Sequence, residues 1–232
     1  MTPAPAAAAK STRSAAAEMS KKMVFDNHDS RLKYYHIFMK MEADTPVQPY
    51  ELPAGYAFVT YREGDRDEWI AIERSAKELS DYDQGVDAWN RYYAPYESEL
   101  PGRMYFITAP NGEKIATVTA FFELDDPKNS GRLHWVAIRR EYQGRGLARP
   151  LISMALQRMR ELGHGDLYVS TQTNTWLAAR LYMDFGFRPT AENIEESEFG
   201  YRMLKTLTNH PVLADFEPVT VEEMLDPNAA EA

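Results

Sequence analysis

The stretch Gln143-Gly144-Arg145-Gly146-Leu147-Ala148 constrains the fold more than any other part of the sequence. It lies between an apolar run with strand character, Leu133-His134-Trp135-Val136-Ala137-Ile138, and a helical pattern that begins at about Leu147. Strand, glycine-bearing turn and helix in that order leave unpaired backbone N–H groups at the helix start, with the positive end of the helix dipole behind them. Such a turn is an anion cradle suited to phosphate. Arg139, Arg140, Arg145 and Arg149 crowd the same stretch against a single acid, Glu141, in a chain of net charge -9. A local basic patch in an acidic protein points to a polyanionic ligand; the plainer reading is a solvated charged loop.

At 232 residues and 44% hydrophobic content the chain can bury one well-formed core and still carry tails. Residues 1–22, opening on a run of Ala and Pro, are expected to be a disordered tail, followed by an N-terminal extension over 23–53. The main domain is expected over 54–207. Residues 208–232 read as an acidic, solvated tail with a short helix near Glu222 to Leu225. No apolar stretch is long enough to span a bilayer and no secretory core is present, so the reading is a soluble cytoplasmic protein without a membrane partner. The lack of cysteine excludes a thiolate nucleophile and a thiolate zinc site. The five histidines show no ligand spacing, so no metal is expected. An acidic chain is also a poor nucleic-acid binder. A homodimer is left open.

Taken in order, Tyr34 to Met39 fits either a short strand or a helix on the domain's edge, and Tyr56 to Tyr61 reads as a strand. Asp65 and Glu68 have capping-box spacing, ahead of a helix with Trp69, Ile72, Ala76 and Leu79 on one face. A second helix carries Val86, Trp89, Tyr93 and Tyr96 and ends near Pro95. Two strands, Arg103 to Thr108 and Lys114 to Phe122, flank the hairpin turn Pro110-Asn111-Gly112, and a polar loop spans 125–131. The helix after the cradle has an apolar face of Leu147, Leu151, Met154, Ala155, Met159 and Leu162. Arg149, Ser153, Gln157 and Arg160 make the opposite, polar stripe, and Pro150 threatens the first turn. Leu167 to Thr171 is a further strand, Thr175 to Phe185 a helix, and Phe199 to Lys205 a last strand. The fold class is therefore α+β (mixed α/β): a mixed, mostly antiparallel sheet with one parallel pair and helices on both faces.

These residues resemble the GNAT superfamily of acetyl-CoA-dependent N-acetyltransferases. Gln143, Gly146 and Ala148 meet the family's signature, and Ala178, Leu181-Tyr182 and Phe185-Gly186-Phe187 match a second block. The resemblance implies that the amides of Gln143, Gly144, Arg145, Gly146, Leu147 and Ala148 bind the pyrophosphate of acetyl-CoA. It also implies that the backbone of Val136, Ala137 and Ile138 pairs with the pantetheine arm, and that the parallel pair is splayed. The family's asparagine falls at Thr175, with Asn174 beside it; Thr175 could instead cap the helix. A dinucleotide-binding unit fits poorly, since Arg149 stands where its third glycine belongs.

By the same resemblance, Tyr182 is the general acid that protonates the departing thiolate. His134, whose ordinary pKa of about 6.5 suits a base near neutrality, corresponds to a histidine of some arylalkylamine-type members. A packed histidine is the alternative, and Glu123, at the end of the preceding strand, is the second candidate base. Without cysteine an acetyl-enzyme is disfavoured, so the expected activity is direct transfer from acetyl-CoA to a primary amine in a ternary complex. The rival reading is a catalytically degenerate fold that binds coenzyme A as a sensor or scaffold.

Overall fold

The computed structural model describes residues 25–123, 126, 129–190 and 194–229. The expected disorder of residues 1–22 lies outside these, as does part of the loop over 125–131. The described residues form one mixed sheet. Its strands are β1 (His36–Met41), β2 (Ala57–Thr60), β3 (Met104–Thr108), β4 (Lys114–Phe122), β5 (Gly131–Ile138), β6 (Leu167–Gln172) and β7 (Arg188–Pro189), in spatial order β2-β3-β4-β5-β6-β1-β7. Neighbours are antiparallel except β5 and β6. A helix, α3 (Ala148–Glu161), makes the crossover between those two, as a parallel pair requires.

Pleating sends alternate residues of β3 and β4 to opposite faces. Ile107, Val118 and Ala120 join one core with Leu151, Ala155 and Met159 of α3. Met104, Phe106 and Phe121 join a second core with Trp69 and Ile72 of α1 (Arg66–Ser75) and Trp89 of α2 (Tyr82–Tyr92). Helices thus cover both faces. Three more follow: α4 (Trp176–Asp184), α5 (Ile194–Thr208) and α6 (Val221–Met224). Pro150 stands third in α3, where its missing N–H would have had no partner within the helix, so the first turn forms undisturbed.

Several local expectations are corrected. Residues 36–41 are not at the edge: β1 lies inside the sheet, paired with β6 from His36↔Gln172 to Met41↔Leu167 and with β7 on its other side. The strand expected over Phe199 to Lys205 is the middle of α5. Its Tyr201 and Leu204 face the main core while Met203 faces a third, smaller one, and two apolar flanks of a helix imitate strand alternation over so short a window. Asp65 does not cap α1: its carboxylate accepts from the Arg62 amide at 2.8 Å and pairs with Lys114. Ser153 is buried rather than on the polar stripe, because its hydroxyl donates to the Gln48 carbonyl at 2.8 Å.

The acidic C-terminal segment is not solvated throughout. Leu213, Val219 and Met224 are buried, the last two against Leu32 and Met203. Met224 accepts a backbone hydrogen bond from Lys33 at 2.8 Å, and Asp226 donates one to Arg31 at 2.8 Å, so the two ends of the described chain clasp each other. The short helix expected there is present as α6, with Thr220 and Glu223 forming a capping box. Charge count hid the sparse apolar anchors. Met224→Ala should lower unfolding free energy by about 2–5 kcal/mol, measured by denaturant titration; an unchanged midpoint would mean that the segment is solvated after all.

Candidate active site

The site begins with a defect in the sheet. β5 and β6 pair only at Gly131↔Leu167, Arg132↔Tyr168 and Leu133↔Val169. On the other side of β5, His134 faces Thr119 and Ala137 faces Thr117, so β5 holds one residue more than β4 over this interval. That bulge falls at Trp135, whose φ of 48° is left-handed. Bulges bend the strand that carries them. Beyond it, Val136 to Ile138 part from β6, and two cavities open along the gap.

The larger, of about 500 Å³, runs beside Val136, Ala137 and Ile138 to the cradle. Gly144 and Gly146 take φ of 73° and 78°. An added Cβ at Gly144 would meet nothing within 4 Å, so left-handed backbone, not lack of space, requires glycine there. The Gln143 side chain donates to the Ile138 carbonyl at 3.0 Å and ties the turn to β5. No side chain caps α3, which leaves its opening amides to a ligand.

The expected basic patch is smaller than the sequence suggests. Arg139 turns to the Lys114 carbonyl at 2.9 Å, Arg145 stacks on Tyr142 and donates to the Glu141 carbonyl at 2.8 Å, and Arg149 pairs with Asp184 at 3.0 Å. Gln143, Gly144, Gly146, Leu147, Ala148 and Thr175 line the cavity, whereas Arg145 and Asn174 do not. Asn174 instead meets His28 at 3.3 Å, and its carbonyl accepts from the Asp29 amide. Thr175 precedes α4 without capping it, its hydroxyl donating back to the Gln172 carbonyl at 3.1 Å. Asn27, His28 and Tyr50 also line this cavity. They belong to the N-terminal extension, which no local motif ties to the cradle.

The smaller cavity, of about 240 Å³, lies between α1, β5, β6 and α4. Tyr182, Glu78, Val136, Thr175 and Ala178 line both cavities, so the two meet there. Tyr182 is 5% exposed, and burial, with the charges of Glu78 and Glu73 adding to it, raises its phenol well above the ordinary 10. It is therefore a protonated donor at neutral pH. His134 lines the smaller cavity among Tyr92, Tyr93 and Phe121, at ring distances of 5.2, 5.4 and 5.4 Å. Burial and then Arg132 push its imidazole down to about 3, and its buried Nδ1 has no partner among the described residues. Glu123 pairs with Arg132 and lines neither cavity.

The residues that sequence reasoning missed are Glu73 and Glu78, both on the wall of the smaller cavity. A signal existed for the first. Glu73 stands four residues after Trp69, a lone charge on the apolar face of α1.

The family model described as the acetyltransferase (GNAT) family matches residues 50–187, more than half of the chain. The chain belongs to this family. It is 30% identical over 100 residues to N-acetyltransferase 8F1 of Rattus norvegicus, a match covering 41% of this chain and 45% of that protein. With N-acetyltransferase 8B of Homo sapiens it shares 26% identity over 91 residues, 38% of this chain and 40% of the relative. The matches span under half the length of these curated relatives. Among solved structures, a GCN5-related N-acetyltransferase from Sphaerobacter thermophilus superposes with a TM-score of 0.55 at 18% identity, covering 76% of this chain and 53% of that one. An acetyltransferase from the GNAT family of Colwellia psychrerythraea gives 0.52 at 10% identity, covering 68% and 54%. At such identities the likeness bears on the fold. Among the described residues, no helix is long and apolar enough to cross a membrane, and no three His, Asp or Glu cluster to hold a metal ion.

His134 provides a direct check on the small cavity. Its folded-state pKa lies below the ordinary 6.5, so protonation as the pH falls through that window favours the unfolded chain, and the histidine supports the fold only while neutral. An NMR titration should find the imidazole still neutral at about pH 5. A midpoint near 6.5 would mean that the ring is solvated.

Proposed function

We propose that the protein is an N-acetyltransferase that moves an acetyl group from acetyl-CoA to a primary amine by direct transfer in a ternary complex. The observation that carries this is the meeting of two cavities at Tyr182, one leading to an anion cradle and the other lined by acids. Amides from Gly144 to Ala148 would hold the pyrophosphate, the Gln143 amide being spent on the Arg140 carbonyl at 3.2 Å. The side of Val136 to Ile138 that has parted from β6 would take the pantetheine arm as an added strand. Asn174 would act at one remove, by holding His28 against the larger cavity.

Fixing amine and thioester side by side is itself worth roughly 7–11 kcal/mol of barrier. The neutral nitrogen attacks the acetyl carbon, the carbon–sulfur bond breaks, and the electron pair leaves on sulfur. Of the two protons the ammonium surrenders, one goes to a base before attack and the other ends on sulfur by way of the Tyr182 hydroxyl. His134, with its weakened basicity, is a poorer base than the sequence implies, and Glu123 is paired with Arg132 away from both cavities.

Two substitutions test the reading. Gly146→Glu should weaken acetyl-CoA binding at least tenfold by calorimetry, since losing one charge-assisted contact is worth roughly 1.5–3 kcal/mol; unchanged affinity would remove the cradle from the site. Tyr182→Phe keeps the ring and should lower kcat ~10²-fold with acetyl-CoA binding nearly intact. A kcat within about twofold of the parent, with a drop in Tm, would make the tyrosine a packing residue only.

A further inference from the structure

Glu73 is 0% exposed, it lines the smaller cavity, and neither of its carboxyl oxygens has a hydrogen-bond partner among the described residues. Buried acids are ordinarily paired, so a carboxyl left bare on a cavity wall awaits a partner from outside the chain. Glu78 stands on the same wall, half-buried, accepting one hydrogen bond from Gln172 at 3.2 Å.

Backbone geometry holds the two acids together. The Glu78 amide donates to the Glu73 carbonyl at 3.0 Å and the Lys77 amide to the Arg74 carbonyl at 3.0 Å, the pair of bonds that ends a helix in a Schellman motif. Such an end needs a left-handed residue, usually glycine; here it is Lys77, at φ 68°. A strained lysine at that turn fixes Glu73 and Glu78 on one side of the chain.

We propose that Glu73 and Glu78 together receive the ammonium group of the acceptor and take its proton before acetyl transfer, which selects a monocationic primary amine with no carboxylate beside the nitrogen. The proposal rests on the transferase reading above. Burial, then the charge of Glu78, raises Glu73 well above the ordinary 4.5, and burial raises Glu78 too, so the empty pair resists bearing two charges, and the proposed step starts from a pair that shares one proton. The other groups around it neutralise neither acid. Arg132 of β5 is taken by Glu123, His134 is neutral, and Tyr92 of α2, Tyr93 just after it and Tyr182 of α4 are phenols. An arriving ammonium supplies the missing charge. It then passes one proton to the pair, leaving two neutral acids and a free amine. The amine attacks the thioester, its second proton ends on the thiol, and the pair returns its extra proton to water past the half-exposed Glu78. A carboxylate beside the nitrogen would be repelled by the acids and would have to displace Glu123 from Arg132.

The test uses the full chain saturated with coenzyme A and 2-phenylethylamine as the probe, with 2-phenylethanol and phenylalanine as its uncharged and carboxylate-bearing counterparts. By calorimetry the amine should bind wild type at least tenfold more tightly than either counterpart. Glu73→Gln with Glu78→Gln should remove that preference, and Glu73→Gln alone, at a residue that lines only the smaller cavity, should leave acetyl-CoA affinity within about twofold. With acetyl-CoA, amine-dependent thiol release by the double variant should fall at least a hundredfold, and the acid limb of the wild-type pH profile should disappear from the residual rate. Equal binding of the three probes to wild type, or an amine preference that survives in the double variant, would overturn the proposal. If the wild type binds the amine selectively but not coenzyme A, the transferase reading fails and the cation site stands. Coenzyme A binding without amine selectivity overturns the cation site and leaves the transferase reading in place.

Discussion

The parting of β5 from β6 is the constraint on which the rest of the site depends. A parallel pair that stopped for no reason would leave buried backbone donors and acceptors unmatched, which folded proteins rarely tolerate. Here the separation is enforced by the extra residue at Trp135, whose left-handed conformation costs about 1–3 kcal/mol. Packing offsets that cost. The indole meets Trp69 at a ring distance of 5.1 Å and Tyr92 at 6.0 Å, so α1 and α2 hold the bulge in place.

The same contact decides where the acids go. Because Trp69 must face β5, Glu73, one helical turn later, is carried into the gap that the bulge opens. The Schellman end of α1 then brings Glu78 to the same wall. On the opposite side, Tyr182 reaches the gap from a helix that also packs on the main core through Ala179 and Met183. Cavity, acids and phenol thus follow from one strand's irregularity. The clasp between the two ends of the described residues supports this from outside by steadying the segment that carries His28.

What was legible in the sequence was what is written locally. The cradle could be read because left-handed turns demand glycine at Gly144 and Gly146, and the hairpin because Asn111-Gly112 sits between two strand patterns. The donor role proposed for Tyr182 comes only from family resemblance; nothing in Leu181-Tyr182 distinguishes a donor from a core ring. β1 was ambiguous because its partner β6 lies more than a hundred residues away, and pairing at that distance leaves no local trace. The bulge at Trp135 was invisible, since it arises from the offset between two strands rather than from either one. His134 shows the limit from the other side: its residue type suggested a base, and only the aromatic cage around it reveals how little basicity remains.

The unpartnered buried groups bear on how the molecule divides its stability. Glu73 and the His134 Nδ1 line the smaller cavity, and the His28 Nδ1 belongs to a residue that lines the larger. A core selected only for stability would pair these atoms or replace them with carbon, because an unsatisfied buried polar group costs about 1–3 kcal/mol. With left-handed Trp135 and Lys77, these groups put part of the fold's strain and missing hydrogen bonds along the two cavities, while others lie elsewhere, as at Thr190. The two hydrophobic cores on either side of the sheet are continuous and can bear that cost. An arrangement of this kind is most stable when something else completes it, so ligands that supply the missing charge and hydrogen bonds should tighten the whole fold and not merely fill a hole.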